Sequence, residues 1–177
     1  MEGKVIVDEA AMKRSLARLS HEIIEQNPSA DVIYLIGIKR RGVPIAAMLK
    51  ENIEKFSDCR AELGAVDITL YRDDVSERYQ DPRVNSAEIP FDVTGKDIVL
   101  VDDVIYTGRT ARAAMEAVIS LGRPAKIQLA VMVDRGHREL PISANFVGKN
   151  IPTSRSEFVK VMVPEYDNAM QVVLSQR

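Results

Sequence analysis

Asp102 and Asp103 end an apolar run that begins at Ile98, and just beyond them the chain reads Tyr106-Thr107-Gly108-Arg109-Thr110. Ionised carboxylates only accept hydrogen bonds, which suits sugar hydroxyls or a hydrated Mg²⁺. They could also form a general acid/base pair, although neighbours on a strand point to opposite faces. The turn that follows offers different chemistry. Gly108 allows a backbone turn without a Cβ, and a helix starting there leaves its first amides without intrahelical partners. Those donors, the hydroxyls of Thr107 and Thr110 and the helix dipole together form a cradle for a phosphate. The stretch is neither a Gly-Lys-Ser/Thr loop nor a G-x-G-x-x-G turn, so one phosphate fits better than two or three. Beside hydroxyl acceptors, such a cradle describes a ribose 5-phosphate site. The plainer alternative is a polar strand end feeding a capped helix, and the spacing after a buried-type strand favours the site.

The flanking segments read as the scaffold for this turn. Met12, Leu16, Leu19 and Ile23 form the stripe of an amphipathic helix over 8–26, stopped near Pro28. Residues 32–37 form a short apolar run of buried-strand type that ends in the polar loop Ile38-Lys39-Arg40-Arg41-Gly42. Pro44 opens a helix to about Lys55, and 62–71 reads as a strand. From Arg72 to Phe91 the pattern fails, and a polar stretch of that length in a compact domain reads as a loop, often a lid. Beyond it come a strand over 97–101, a helix over 108–121 closed by Gly122 and Pro124, and strands over 126–133, 144–148 and 158–163. Strands alternating with helices predict an α/β fold with a parallel sheet. Ligands in such sheets gather at the carboxyl ends of the strands. Three strands end in polar loops, at 38–42, 102–110 and 134–140, so their chemistry should meet at one edge.

The 177 residues fit one domain with a real core. The 46% hydrophobic and 28% charged residues describe an ordinary globular chain. No apolar run approaches a membrane span, the N-terminus lacks a signal-peptide pattern, and Cys59 is the single cysteine. A cytoplasmic location is the expectation. The net charge of −2 excludes a uniformly basic nucleic-acid binder, yet Arg123 to Lys160 carries a local balance of +4. That is compatible with a phosphate-rich partner, although a solvated face explains it more simply.

The stretch 99–110, VLVDDVIYTGRT, resembles the signature with which type I phosphoribosyltransferases bind 5-phosphoribosyl 1-pyrophosphate (PRPP). With DITLYRDD, GRPAKIQLAVMVDRGHRELPI and VGKNIPTSRSE, the likeness to the PyrR family covers nearly the whole chain. That family comprises bacterial pyrimidine operon regulators that are also uracil phosphoribosyltransferases. The resemblance implies a mainly parallel central sheet flanked by helices. It adds a small hood from the C-terminal third, with a contribution from the N-terminus.

The resemblance also implies roles. Residues Tyr106, Thr107, Gly108, Arg109 and Thr110 would hold the 5-phosphate of PRPP or UMP, and Asp102 and Asp103 the ribose hydroxyls. Arg40 and Arg41 would lie near the pyrophosphate, in a loop where the family often carries a non-proline cis peptide. Arg72 and Arg83 would add pyrophosphate contacts from loop 72–91, which would close over PRPP. Mg²⁺ would arrive with PRPP, near Asp102 and Asp103. Arg135 would donate to a uracil oxygen and the Val159 backbone would meet the base, while Phe158 either stacks on it or joins the core. His137 would either orient Arg135 or face RNA. Purine-using relatives carry an acidic residue where this chain has Tyr106, so a pyrimidine is expected and no general base is assigned.

For regulation, the resemblance implies a homodimer, or a tetramer of paired dimers, binding the messenger RNA leader of the pyrimidine operon when UMP is bound. His21, Arg138 and Lys149 match positions on that RNA face. Ala17 and Ser143 depart from it, replacing a hydroxyl and a basic residue. An enzyme without RNA regulation, or one using another base, stays open.

Overall fold

The computed structural model describes residues 3–69 and 83–176, in the order β1 (Lys4–Val7), α1 (Glu9–Gln26), β2 (Val32–Ile38), α2 (Gly42–Phe56), β3 (Arg60–Thr69), β4 (Arg83–Glu88), β5 (Asp97–Ile105), α3 (Arg109–Leu121), β6 (Lys126–Asp134), β7 (Phe146–Asn150), β8 (Glu157–Met162), α4 (Pro164–Asp167) and β9 (Gln171–Gln176). Six strands form one sheet in the order β4-β3-β2-β5-β6-β7, and three form a second in the order β1-β9-β8. In the large sheet β3, β2, β5, β6 and β7 are parallel, and only β4 runs antiparallel, against β3. The small sheet is antiparallel throughout and forms the hood.

Strand periodicity sorts the side chains into two layers. Leu35, Val99 and Val101 pack against the α1 stripe, against Ile45, Leu49 and Ile53 of α2, and against Val161 and Val172 of the hood. Ile36, Ile98, Leu100 and Val131 pack against the small face of α3, made by Ala111, Ala113, Ala114, Ala117 and Val118. Alanines there let α3 lie close to the sheet, while the other face carries two helices and the hood. Asp8 caps α1, its Oδ1 accepting from the Ala11 amide at 2.8 Å.

The expected helices and parallel strands are present, with two differences that bear on function. The segment expected as loop 72–91 includes an edge strand over its second half, because residues 83–88 pair with β3. Its alternation is obscured by a polar sequence, Arg-Val-Asn-Ser-Ala-Glu, on a strand bonded along one side only. Arg72 and the rest of that loop up to 82 lie outside the described residues, and so does any closure over a ligand. The strand expected at 97–101 continues to Ile105, carrying both aspartates within it.

A close approach fixes α2 against β5. A Cβ on Gly42 would run into the Val101 carbonyl oxygen and lie 3.2 Å from the Asp102 Cα. Glycine to alanine in a helix normally stabilises slightly. Here Gly42→Ala is expected to cost about 1–3 kcal/mol through overpacking, read as a lower midpoint in urea denaturation. An unchanged or higher midpoint would show that α2 does not touch β5 in this way.

Candidate active site

The carboxyl ends of β2, β5 and β6 meet beneath the hood, around a cavity of about 430 Å³. Its floor holds Asp102 and Asp103, one side is the turn from Tyr106 to Ala111, and Arg135, Phe158 and Val159 line the other. The three polar loops therefore converge, as the parallel sheet requires.

Backbone amides pin the carboxylates in place. Asp102 Oδ1 accepts from Asp103 N at 2.8 Å, and Asp103 Oδ1 from Val104 N at 2.9 Å. Burial pushes the Asp102 carboxyl well above the usual carboxylate range, and the adjacent Asp103 charge pushes it the same way. No group of three or more His, Cys, Asp or Glu side chains that could hold a metal exists among the described residues. Two adjacent hard oxygen donors nevertheless fit a Mg²⁺ whose other ligands come from substrate and water.

The turn beside them leads directly into α3, with Thr107 Oγ1 accepting from the Arg109 amide at 3.4 Å. Gly108 has φ +92°, in the left-handed region, and forms the N-cap of α3 without a side-chain cap. α2 likewise starts without one, unlike α1. The segment after β6 braces the turn from outside. Thr107 O accepts from the amides of Glu139 and Leu140 at 2.9 and 3.1 Å, and Arg138 Nη1 donates to Tyr106 O at 2.7 Å. Arg109 Nε donates to Glu139 Oε2 at 2.8 Å, so its side chain turns toward this brace.

Arg135, 7% exposed, joins the cavity wall to the hood. Its guanidinium donates to Glu157 O at 2.8 Å, Ser154 O at 3.3 Å and Thr153 Oγ1 at 3.2 Å. The guanidinium carbon lies 4.1 Å from the Tyr106 ring centroid, a cation–π contact. His137 Nε2 lies 2.5 Å from Thr153 O and its ring meets Tyr106 edge-on, which places it beside Arg135. Val159 is buried and Phe158 is 45% exposed. Because β8 is the edge of the hood sheet, alternate backbone groups along it face away from β9.

The basic loop after β2 reaches toward the hood. The Lys39–Arg40 peptide is cis. Lys39 lines the cavity and pairs with Glu88 of β4 at 2.7 Å. Arg40 lies over the Tyr166 ring, and Arg41 forks onto Asp167, so both arginines lean on the hood rather than line the cavity. Nothing in the linear pattern marks this hood turn, since Arg41 and Asp167 are 126 residues apart. Of the positions matched to an RNA face, His21 and Lys149 are exposed, and His21 stacks on Phe56 with centroids 4.5 Å apart. Arg138 is half-buried and paired with Asp134 at 2.6 Å.

A family model described as the phosphoribosyl transferase domain matches residues 3–167. A bifunctional protein PyrR from Clostridium novyi is 57% identical over 178 residues, covering 100% of both chains. Another from Thermus thermophilus is 57% identical over 166 residues, or 94% of this chain and 92% of the relative. The chain belongs to the PyrR family. Solved structures agree on the fold. A hypoxanthine phosphoribosyl transferase from Trypanosoma cruzi superposes with a TM-score of 0.78 at 18% identity, over 100% of this chain and 93% of the other. A hypoxanthine-guanine phosphoribosyltransferase from Bacillus anthracis gives 0.78 at 17% identity over 100% of both. Within this PyrR-family chain, the type I phosphoribosyltransferase fold therefore holds the carboxylate pair and the turn from Tyr106 to Thr110 around one pocket.

The raised Asp102 carboxyl has a stability consequence. Above about pH 4 the unfolded carboxyl ionises first, so stability falls as pH rises through the folded-state value. Asp102→Asn is therefore expected to melt higher than the parent at pH 8 and close to it near pH 4. A variant melting lower at pH 8 would contradict the buried-charge account.

Proposed function

We propose that this chain converts uracil and PRPP to UMP and pyrophosphate and, with UMP bound, regulates the pyrimidine operon by binding its messenger RNA leader. The observation that carries the catalytic reading is the run from Asp102 to Thr110, in which two pinned carboxylates lead into a left-handed glycine at the N-cap of α3, a position with no side chain of its own to cap the helix. The 5-phosphate sits on the turn from Tyr106 to Thr110, and the carboxylates take the ribose hydroxyls. Asp102 and Asp103 would hold a Mg²⁺ that arrives with PRPP, and the ion would supply charge neutralisation for the pyrophosphate.

Uracil occupies the space between Tyr106 and Val159. Arg135 keeps the hood closed on this side through Nε and Nη2, and Nη1 is the donor that remains for a uracil oxygen. The Val159 backbone reads the amide-like edge. A ring nitrogen of uracil bonds to C1 of the ribose as the C1–O bond breaks, the pyrophosphate leaves with the bonding pair, and the nitrogen's proton passes to water or to the departing pyrophosphate. The protein's work in that step is positioning and stabilisation of the leaving anion. Tyr106 stands where an acidic residue would help deprotonate a purine, which favours a pyrimidine.

Regulation uses the surface. His21, Lys149 and Arg138 contact the RNA, phosphates supply most of the affinity, and binding weakens steeply with salt. A homodimer, or paired dimers, presents two such faces to RNA in the cytoplasm. No helix among the described residues is long and apolar enough to cross a membrane.

The test is titration of the operon's own leader hairpin with and without UMP across salt. UMP should tighten binding of that hairpin over a scrambled one, and Lys149→Ala should lower the salt slope by about 1. A protein that turns over uracil but binds hairpin and scrambled RNA alike would be an enzyme without the regulatory face.

A further inference from the structure

The side chain of Asp167 is only 4% exposed and sits between three parts of the chain. Its Oδ2 accepts from Arg41 Nε at 3.1 Å and its Oδ1 from Arg41 Nη2 at 2.9 Å, a two-bond fork. Lys160 Nζ lies 2.7 Å from Oδ1, and the Val163 amide donates to Oδ2 at 3.1 Å. The two cations are 28% and 42% exposed, so the anion is the buried centre of the group. These contacts hold its carboxyl below the usual carboxylate range, the hydrogen bond from Arg41 most of all. The neighbouring Tyr166 carries the Arg40 guanidinium 5.0 Å from its ring centroid. One hood turn thus holds both arginines of the loop that precedes α2, and Arg41 is the N-cap of that helix.

We propose that Asp167 is a positioning residue for pyrophosphate: by clamping Arg41 to the hood it fixes the 39–42 loop and the open end of α2 where the leaving anion binds. The inference rests on the phosphoribosyl transfer reading and assigns within it a residue outside the cavity. Two facts favour a clamp over a surface ion pair. The fork is bidentate onto a nearly inaccessible carboxylate, and Gly42, next in the chain, presses on β5 beside Asp102, so a shift of Arg41 moves backbone at the floor of the site.

The variant is Asp167→Asn, similar in shape without the charge. Calorimetric titration with pyrophosphate and Mg²⁺ should show affinity reduced about 10- to 100-fold, the range of one lost charge-assisted contact. UMP, whose phosphate sits on the α3 turn, should bind within about twofold of the parent by the same scale. In a cycle with Arg41→Lys, which keeps charge but loses the fork, the double variant should be no worse than the worse single one. Additive losses, pyrophosphate binding unchanged in Asp167→Asn, or tighter binding because Arg41 is released to the ligand would each overturn the proposal. If Asn at this position does not fold, Asp167→Glu, which displaces the fork by a methylene, carries the test. Weakened pyrophosphate with unaltered UMP supports the clamp, and both unaltered overturns it. A parent protein that binds neither UMP nor pyrophosphate would instead overturn the site reading itself.

Discussion

The first-turn amides of α3 have no acceptor in their own helix, and Gly108 at the N-cap has no side chain to offer one, although Thr107 Oγ1 accepts from the Arg109 amide at 3.4 Å. β5 delivers the chain to that point, Gly108 turns it, and the segment after β6 braces the turn through Thr107 O and Tyr106 O. A helix end left open at a rigid sheet edge is a fixed field of donors that needs no rearrangement to meet an anion. The same strand end carries both aspartates, so carboxylates and backbone donors follow one another along the chain. A ligand with a phosphate at one end and a diol in the middle satisfies both.

That arrangement is costly without ligand. Two adjacent carboxylates at a partly dry cavity floor repel each other and lose hydration, which is why Asp102 is pushed upward. The surrounding layers supply the compensation. Buried aliphatic side chains of β2, β5 and β6 pack against α1, α2 and the hood on one face and α3 on the other. The hood is held down by Arg135 beside Tyr106 and by Asp167 beside the loop that precedes α2, each a charged group satisfied by several partners. Both anchors reach from the hood to loops at the carboxyl edge, so the hood and the reaction site share their supports.

Contiguous chemistry was legible in the sequence, and chemistry assembled across the chain was not. Asp102 to Thr110 could be read because strand, turn and helix start follow one another, and the stripe of α1 and the apolar runs of β2, β5 and β6 have clear periods. β4 could not be read, because a polar edge strand bonded on one side shows no alternation. The brief β1, Lys-Val-Ile-Val, is too short for a period to register and gains its place by pairing with β9. Arg40 and Arg41 were recognisable as a basic loop, but their partners Tyr166 and Asp167 belong to a four-residue helix far along the chain. Arg135 was assigned to the base, yet most of its hydrogen bonds go to the hood, a division of labour set by tertiary packing.

The central claim is that the α3 turn is a phosphate site and the aspartate pair its ribose partner. The most direct measurement compares the affinities of UMP and uridine for the whole protein by calorimetric titration at one salt concentration. Two charge-assisted hydrogen bonds to the phosphate, at about 1.5 kcal/mol each, would make UMP bind about 100-fold tighter than uridine. Equal affinities would mean that the open end of α3 holds no phosphate, and the account would fail at its centre.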